Sequence, residues 1–559
     1  MNGILHDLRY TLRVLLREPV FAAVAVVTLA LGIGVTTGVF ALVNAALLRP
    51  LPIGNPARVM TVEEVAENGR TRASFSYREY VGHRARAAAF SSLAAHNLDE
   101  LSYRGDAGAE VVQVGIVSSN YFTTLGLRPH LGRFLTEEEE RGLPVVVLAY
   151  DFWRSRFDSN RDVLGRTIVL NGQSMTVVGV APETFRGTFI GIAAVAWAPL
   201  GLHGQLHPGS AAMDGDDFHW LQLIGRLAPG VSRAQAEGVA SAAARSIPAI
   251  DGAAREVRGA RVRRLTGLPP GRTGVIAGFL GLLLTTAGLV LVIASVNVAG
   301  MLLARAMARR REIAMRVAIG ASRWRLLRQL FTETMVLFGL GGTLGLVLAA
   351  WVAYLLSRFR PPVPVTLSID LAIDARVFTF ALFVALVTGT FFGAAPVAHA
   401  LDPNVVHGMR EGGGGGSRHR TRSVLVAGQF ALSLMLLVAA GLFVRVVRAA
   451  ASAEPGFDAS AVATAHIDLE PHGYDEVSSR LFMRTLLSRL EATAGIEAAG
   501  LAEVVPLGFS RQSAAVEVSG REAIRDRNIS TVGYNVIDPG YLGTLRIPLI
   551  AGRGFTGAD

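Results

Sequence analysis

The stretch ARRREIAMRVAIGASRWRLLRQ, residues 308–329, sets a dense knot of arginine between two segments apolar enough to live in a lipid bilayer. From Ala304 to Arg328 there are eight arginines (Arg305, Arg309, Arg310, Arg311, Arg316, Arg323, Arg325 and Arg328) against one acid, Glu312. Short loops this basic stay on the cytoplasmic side of a membrane. The loop therefore fixes the direction of the helices on either side of it, and by alternation the side on which every other segment lies.

Five segments have the length and composition to span a bilayer, for which about 20 apolar residues suffice. They run approximately Val20–Leu48, Gly274–Leu303, Leu330–Leu356, Val377–Ala400 and Val424–Val444. The first follows Arg9, Arg13 and Arg17 as a signal peptide would. Its apolar run is much longer than a signal core and no small-x-small cleavage site follows, so it reads as an uncleaved helix. Alternation then puts the N-terminus inside and residues 49–273, 358–376 and everything after about 445 outside. Arg445 and Arg448 lie on the disfavoured side, outvoted by the loop at 304–329 and by the linker at 402–422, with four arginines against two acids.

Composition agrees. Of 559 residues 51% are hydrophobic and 18% charged, too apolar for a purely soluble chain. There is no cysteine, which excludes disulfides and thiolate chemistry, and all 54 basic residues are arginine. Without lysine the chain holds no G-x-x-x-x-G-K-[ST] phosphate loop and no amine for Schiff-base or Ser–Lys catalysis. G-x-S-x-G and H-E-x-x-H are also missing. The net charge of +10 does not point to nucleic acid, because the arginine clusters adjoin the membrane and lack interleaved stacking aromatics.

The outer region 49–273 is long enough for a domain with its own core and reads as mixed α and β. TIVLNGQSMTVVGV (167–180) places β-type runs around Asn171-Gly172, a hairpin signal. SRAQAEGVASAAARSI (232–247) has helical composition with Ser232 as N-cap. EGGGGGSRHR, within 402–422, reads as a flexible linker. Beyond it something recurs. Tyr121, Thr124, Leu125, Gly132, Arg133 and Thr136 reappear as Tyr541, Thr544, Leu545, Gly552, Arg553 and Thr556, always 420 positions later. A long-period repeat decides architecture before local motifs do. The second copy breaks off at Asp559, in the equivalent of residue 139.

The basic loop itself can form a helix from Arg305 to Ile319 with Arg305, Arg309, Glu312 and Arg316 on one face. Gly320 suits its C-terminal stop, and Ser322 an N-cap for the helix entering the membrane. Orientation alone needs fewer charges, so this elbow is expected to be a docking surface for a cytoplasmic partner as well as a contact for lipid headgroups. Glycine pairs at Gly34/Gly38, Gly274/Gly278, Gly341/Gly345 and Gly389/Gly393 have the spacing that lets helix backbones approach. Asn44, Asn297 and Glu333, polar near membrane boundaries, are expected to be solvated at the interface. DGDDFH (214–219) lacks calcium-loop spacing and reads as a solvated loop; TEEEE (136–140) reads as a capping box from Thr136 to Glu139.

NVAGMLLARAMARRREIAMRVAIGASRWRLLRQLFTETMVLFGLGGTLGLVLA (297–349) resembles the FtsX/MacB-type permease domain of ABC transporters. VVVLAYDFWRSRFDSNRDVLGRTIVLNGQSMTVVGVAPETFRG (145–187) resembles the MacB-type periplasmic core, and LRYTLRVLLREPVFAAVAVVTLALGIGV (8–35) its first helix. The tandem copy resembles the duplicated orphan permeases of that family, which implies three further helices after residue 559. The expected fold class is a multi-pass α-helical membrane protein with mixed α+β periplasmic domains. Its expected parts are a cytoplasmic amphipathic segment (1–19), transmembrane helix 1 (20–48), a MacB-like periplasmic core (49–273), an FtsX-like permease domain (274–401) with coupling loop 304–329, the linker (402–422), transmembrane helix 5 (423–447) and a partial second core (448–559).

The resemblance implies a permease subunit of the bacterial inner membrane that binds no cofactor itself. ATP and Mg would enter through a separate cytoplasmic ABC ATPase, two copies per complete permease. Arg309, Arg310, Arg311, Glu312, Arg316, Gly320, Ser322, Arg323 and Arg325 would form the surface that touches it, and membrane lipid and a periplasmic adaptor are further expected partners. Closure of the ATPase would move the helices and rearrange the periplasmic domains, a mechanotransmission serving export of antimicrobial or envelope substrates. The alternative class is an envelope signalling or scaffold protein that senses a ligand or activates a cell-wall enzyme without transport; an envelope enzyme is third.

Overall fold

The computed structural model describes residues 9–105 (except 10 and 14), 108–207, 219–248, 257–268, 273–308, 315, 323–358, 367–368, 371, 373–400 and 416–452, and residues 456–557 with gaps, the longest at 507–511 and 516–530. They belong to two units, Met1–Leu442 and Phe443–Asp559.

In the first unit helix α1 (Pro19–Val43) starts on a proline, which suits a first turn whose N–H has no partner, and runs on as a π-helical turn, Asn44–Leu48. The outer domain follows: β1 (Val59–Ala66), β2 (Thr71–Arg72), α2 (Tyr77–Ala85), β3 (Phe90–Gly105), β4 (Gly108–Val117), α3 (Tyr121–Thr124), β5 (Leu131–Gly132), β6 (Val145–Leu148), α4 (Tyr150–Arg156), β7 (Thr167–Leu170), β8 (Gln173–Val180), β9 (Gly191–Ile192), β10 (Ala196–Pro199), α5 (His203–Leu206), β11 (Gln222–Leu227), α6 (Arg233–Ser246) and β12 (Val257–Arg264). Three long helices come next: α7 (Thr273–Ala308), α8 (Arg323–Arg358) and α9 (Ala375–Ala400), with the short β13 (Leu367–Ser368) between the last two. Then comes α10 (Gly416–Ala451). Among the described residues five helical stretches are long and apolar enough to cross a membrane: Pro19–Leu48, Thr273–Arg305, Arg328–Leu356, Ala375–Gly393 and Val426–Ala449.

The sheet has two parts that share one strand. Strands β12, β1, β11 and the first half of β3 lie side by side, all antiparallel. With α2 between β1 and β3 and α6 between β11 and β12, this is a β-α-β-β-α-β unit of ferredoxin-like order. The segment from β4 to β10 is inserted between β3 and β11. It pairs β3, β4, β10, β6, β8 and β7 in sequence, and β7 returns to β3, closing the ring. Strand β3 can serve both parts because its 16 residues outrun either one.

Local chemistry explains the joints. Asn171 (φ 44°) and Gly172 (φ 73°) make the hairpin turn between β7 and β8, both in the left-handed region that Asn and Gly tolerate. Asn171 also locks the turn down: its side-chain oxygen accepts from Ser102 N–H at 2.6 Å, and its amide donates to Leu206 O at 3.0 Å. Ser232 caps α6 in a reciprocal box with Gln235, and Ser76 caps α2 with Glu79. At 136–140 the carboxylate of Glu139 accepts from Thr136 N–H at 2.8 Å and from both terminal nitrogens of Arg133. The Arg133 bonds, helped by Thr136 N–H, hold Glu139 below the usual carboxylate range despite burial. One core, with Trp197, Tyr80, Tyr121, Phe75, Phe122 and Phe185 fully buried, runs through both parts of the domain.

In the second unit α11 (Glu476–Glu491), β14 (Gln512–Ala515), β15 (Thr531–Tyr534) and α12 (Tyr541–Thr544) are described. Here the sequence repeat is matched bond for bond. Ser118 N–H donates to Ala95 O while Ala95 N–H donates to the Ser118 hydroxyl; Asp538 and Leu501 make the same exchange. Leu125 N–H and Leu127 N–H bond Tyr121 O and Phe122 O, as Leu545 and Ile547 bond Tyr541 and Leu542. Gly132 and Gly552 share a positive φ, 69° and 89°.

Two expectations about boundaries differ from the structure. Helix α8 begins at Arg323, earlier than Leu330, because the arginines ahead of the apolar run are good helix formers. Residues 416–422 of the expected linker are the first turns of α10, and 401–415 lie outside the described residues.

Candidate functional site

The four helices α1, α7, α8 and α9 form a bundle whose buried core includes Ala25, Leu29, Ile33, Leu291, Val298, Leu337, Phe338 and Ala385. Its centre is the crossing of α1 with α8. A Cβ on Gly34 would stand 3.0 Å from Gly345 O, and one on Gly345 would stand 2.9 Å from Ala30 O and 3.0 Å from Gly34 N. One on Gly341 would stand 2.5 Å from Leu29 Cβ. Only glycine lets the two backbones meet there. Gly389 and Gly393 seat α9 on Met335, Phe338 and Thr334 of α8. Gly38, Gly274 and Gly278 have nothing within 4 Å of a Cβ position, so no described backbone approaches them and the helix-packing reading of Gly38 is corrected. Spacing alone could not separate the two groups, because every pair has the same i, i+4 form.

At the inner end of the bundle the structure overturns one expectation. Arg305, set by the sequence on one face with Arg309, Glu312 and Arg316, turns into the bundle, its side chain 10% exposed. Its guanidinium reaches Glu333 Oε1 at 2.5 Å and Glu18 Oε2 at 3.1 Å, and lies 4.7 Å over the Phe21 ring. Glu333 is accordingly buried and paired rather than solvated. The cause is electrostatic: a carboxylate facing hydrocarbon is stable only beside a partner charge, and the last full turns of α7 supply one. Asn297 is partly buried.

The outer end is also tied. Asn44, expected at the solvated interface, is buried and donates from Nδ2 to Asp374 Oδ2 at 2.8 Å. Asp374 caps α9 through Val377 N–H at 3.0 Å, and Arg376 donates to Leu48 O. Burial alone would raise the Asp374 carboxyl, but these hydrogen bonds, from Val377 N–H, the Asn44 amide and Arg376 N–H, hold it below the ordinary carboxylate range.

Among the described residues three joints connect this bundle to the outer domain. Chain continuity makes the first: α1 leads into β1 and β12 into α7, and these two strands are paired to their ends, Met60 opposite Arg264, with Leu265 N–H on Val59 O. The second is Ile190 N–H on Gly267 O at 2.8 Å, where Gly267 (φ 74°) has no room for a Cβ against Ile190. The third is the antiparallel pairing of β13 with β9, Leu367 opposite Ile192 and Ser368 opposite Gly191. Residues 188–192 thus meet both the entry to α7 and the α8–α9 connection. They also reach the domain interior, where Thr188 Oγ1 accepts from Tyr121 OH at 3.3 Å and lies 3.4 Å from His96 Nδ1. Nothing in the sequence marked this junction, since β9 and β13 are two residues each.

Of the expected coupling surface, Arg309, Arg310, Arg311, Glu312, Arg316, Gly320 and Ser322 lie outside the described residues. Arg323 and Arg325 are in the first turn of α8, and Met315 is helical and 61% exposed. Residues 214–218 of the acidic loop are likewise outside, while His219 Nε2 lies 3.4 Å from Glu79 Oε1.

Comparison with known proteins matches residues 22–243 to the MacB-like periplasmic core domain and residues 273–405 to the FtsX-like permease C-terminal domain. The macrolide export ATP-binding/permease protein MacB of Nitrosomonas europaea is 29% identical over 310 residues, 52% of this chain and 42% of that protein. The uncharacterized ABC transporter permease YvrN of Bacillus subtilis is 28% identical over 313 residues, 53% of this chain and 70% of that one. The matched region thus spans less than half the length of the MacB relative. With core domain and permease domain in this order, joined by the paired strands and helices just described, the chain belongs to the MacB/FtsX-type ABC transporter permeases.

Proposed function

We propose that the chain is the permease part of an ATP-driven exporter in a bacterial inner membrane, with the N-terminus and the loop 304–329 cytoplasmic. A separate ABC ATPase supplies the nucleotide chemistry through Arg309, Arg310, Arg316 and their neighbours. The bundle relays its motion outward, and the cargo is handled by the outer domain, the substrate class being antimicrobial or envelope compounds as the macrolide-exporting relative's name indicates. The resemblance to duplicated permeases extends this reading: residues 448–559 begin a second core domain, which the repeated hydrogen-bond pattern supports.

The observation that carries the reading is the set of three joints around β1, β12 and residues 188–192, which give three of the four bundle helices or their connections a direct hold on one edge of the outer domain. A relay requires such mechanical continuity; a tethered binding domain does not. The test is co-purification of the cognate ATPase, with accumulation of a labelled macrolide in cells. Reversing Arg309, Arg310 and Arg316 to glutamate is expected to abolish both ATPase association and export. Export retained in the triple variant would refute the coupling role, and ATPase association without any change in accumulation on deletion would refute export.

A further inference from the structure

Outside the bundle, the outer domain brings two imidazoles and a carboxylate together on an ordered framework. Asp99 comes from β3, and His203 and His207 stand four apart across the turn of α5. His207 Nε2 is 2.8 Å and His203 Nε2 4.0 Å from the same oxygen, Asp99 Oδ2, and one ligand atom from each residue lies within 4.8 Å of the others. A tetrahedral ion with bonds of about 2.0–2.1 Å holds its ligand atoms roughly 3.3 Å apart, so small side-chain rotations bring all three into range.

Both imidazole rings crowd that one carboxylate, their centroids 4.9 Å apart. The surroundings fix the ligands as a metal site requires. Asp99 Oδ1 accepts from Glu100 N–H at 3.0 Å, which aims Oδ2 at the histidines. Leu202 and Leu206 are fully buried, and Asn171 anchors Leu206 O at 3.0 Å, so the turn carrying both imidazoles is set by the core. The His203 ring lies against Trp220, centroids 4.0 Å apart, giving the site a dry wall.

We propose that Asp99, His203 and His207 bind a divalent first-row transition metal, zinc by preference, which staples the α5 turn to β3. Two nitrogens and one oxygen suit Zn²⁺ and its neighbours, whereas calcium and magnesium take oxygen ligands.

The experiment uses the full untagged chain in detergent, stripped with chelator and titrated with Zn²⁺ and, separately, Co²⁺. One Zn²⁺ per chain is expected, with a raised unfolding temperature, and Co²⁺ is expected to quench Trp220 fluorescence. His203→Gln, His207→Gln and Asp99→Asn should each weaken binding about 10-fold or more and remove the thermal shift. His83→Gln, a buried histidine elsewhere, should leave both intact, and Trp220→Phe should keep the binding and lose the quenching. The unfolding temperature of each stripped variant shows that it is folded. Absence of saturable binding, or stoichiometric binding that survives the His203→Gln/His207→Gln double change, overturns the proposal.

Discussion

Arg305 on α7 and Glu333 on α8 meet at 2.5 Å with their side chains about nine-tenths buried, and Glu18 at the head of α1 joins them at 3.1 Å. One guanidinium thereby pins three helices at the inner end of the bundle, next to the loop that we propose receives the ATPase.

Removing Arg305 leaves the Glu333 carboxylate stranded in an apolar bundle, whereas removing Glu333 leaves Arg305 with Glu18. Arg305→Met is expected to destabilise the bundle by about 3–5 kcal/mol, and Glu333→Gln by less, read as a lower unfolding midpoint in detergent. The double change Arg305→Met/Glu333→Leu should recover most of the loss, because Glu18 is 45% exposed and can be solvated. A double variant no better than the singles would show that the contact does not act as a pair.

The α1–α8 crossing tolerates no side chain. Gly345→Val should cost about 1–3 kcal/mol or more, since the nearest atoms it would meet, Ala30 O and Gly34 N, are backbone and cannot swing aside. Gly38→Val, with open space around its Cβ position, should leave the midpoint unchanged. Equal effects at the two positions would disprove this packing.

His96 gives the outer domain an acid-sensitive point. It is fully enclosed beside Tyr121 and Phe189, and burial lowers its pKa to about 4 from 6.5. Below pH 6.5 the unfolded chain takes up a proton that the folded chain refuses, so stability present at neutral pH is lost as pH falls from about 6.5 to about 4. The shift corresponds to about 3 kcal/mol at the acid end. His96→Phe should flatten that part of the stability–pH curve, as measured by denaturant unfolding.

The β9–β13 joint can be tested covalently because the chain has no cysteine of its own. Leu367 and Ile192 are direct antiparallel partners, which places their Cα atoms about 4.5–5.5 Å apart, inside disulfide range. Ile192→Cys/Leu367→Cys should crosslink on mild oxidation, seen as a linked peptide by mass spectrometry. The mismatched pair Ile192→Cys/Ser357→Cys should not.

Much of this architecture was legible in the residues. Long apolar runs are read from composition alone, the Asn171-Gly172 turn and the Ser232 cap from the backbone chemistry of those side chains, and the repeat from its constant offset. Sequence was weakest where tertiary contact decides. Glu333 looked interfacial because its partner, Arg305, is 28 positions away, and glycines of identical spacing differ only in what faces them. The joints at residues 188–192 escaped notice because two-residue strands carry no periodic pattern. The expected ATPase surface lies mostly outside the described residues, so its role rests on the resemblance and on charge.

Strand β3 begins with Phe90 opposite Leu227, one strand away from Val59, where the chain arrives from the bilayer. It then continues without a break into the closed ring. Sixteen residues at about 3.3 Å each make a rod of roughly 50 Å, shared by the sheet at its base and the ring further along. A tilt of about 5° at the root would sweep the tip by about 4 Å. In the relay we propose, such a rod would turn a small slippage between the glycine-lined helices into a wider stroke at its far end.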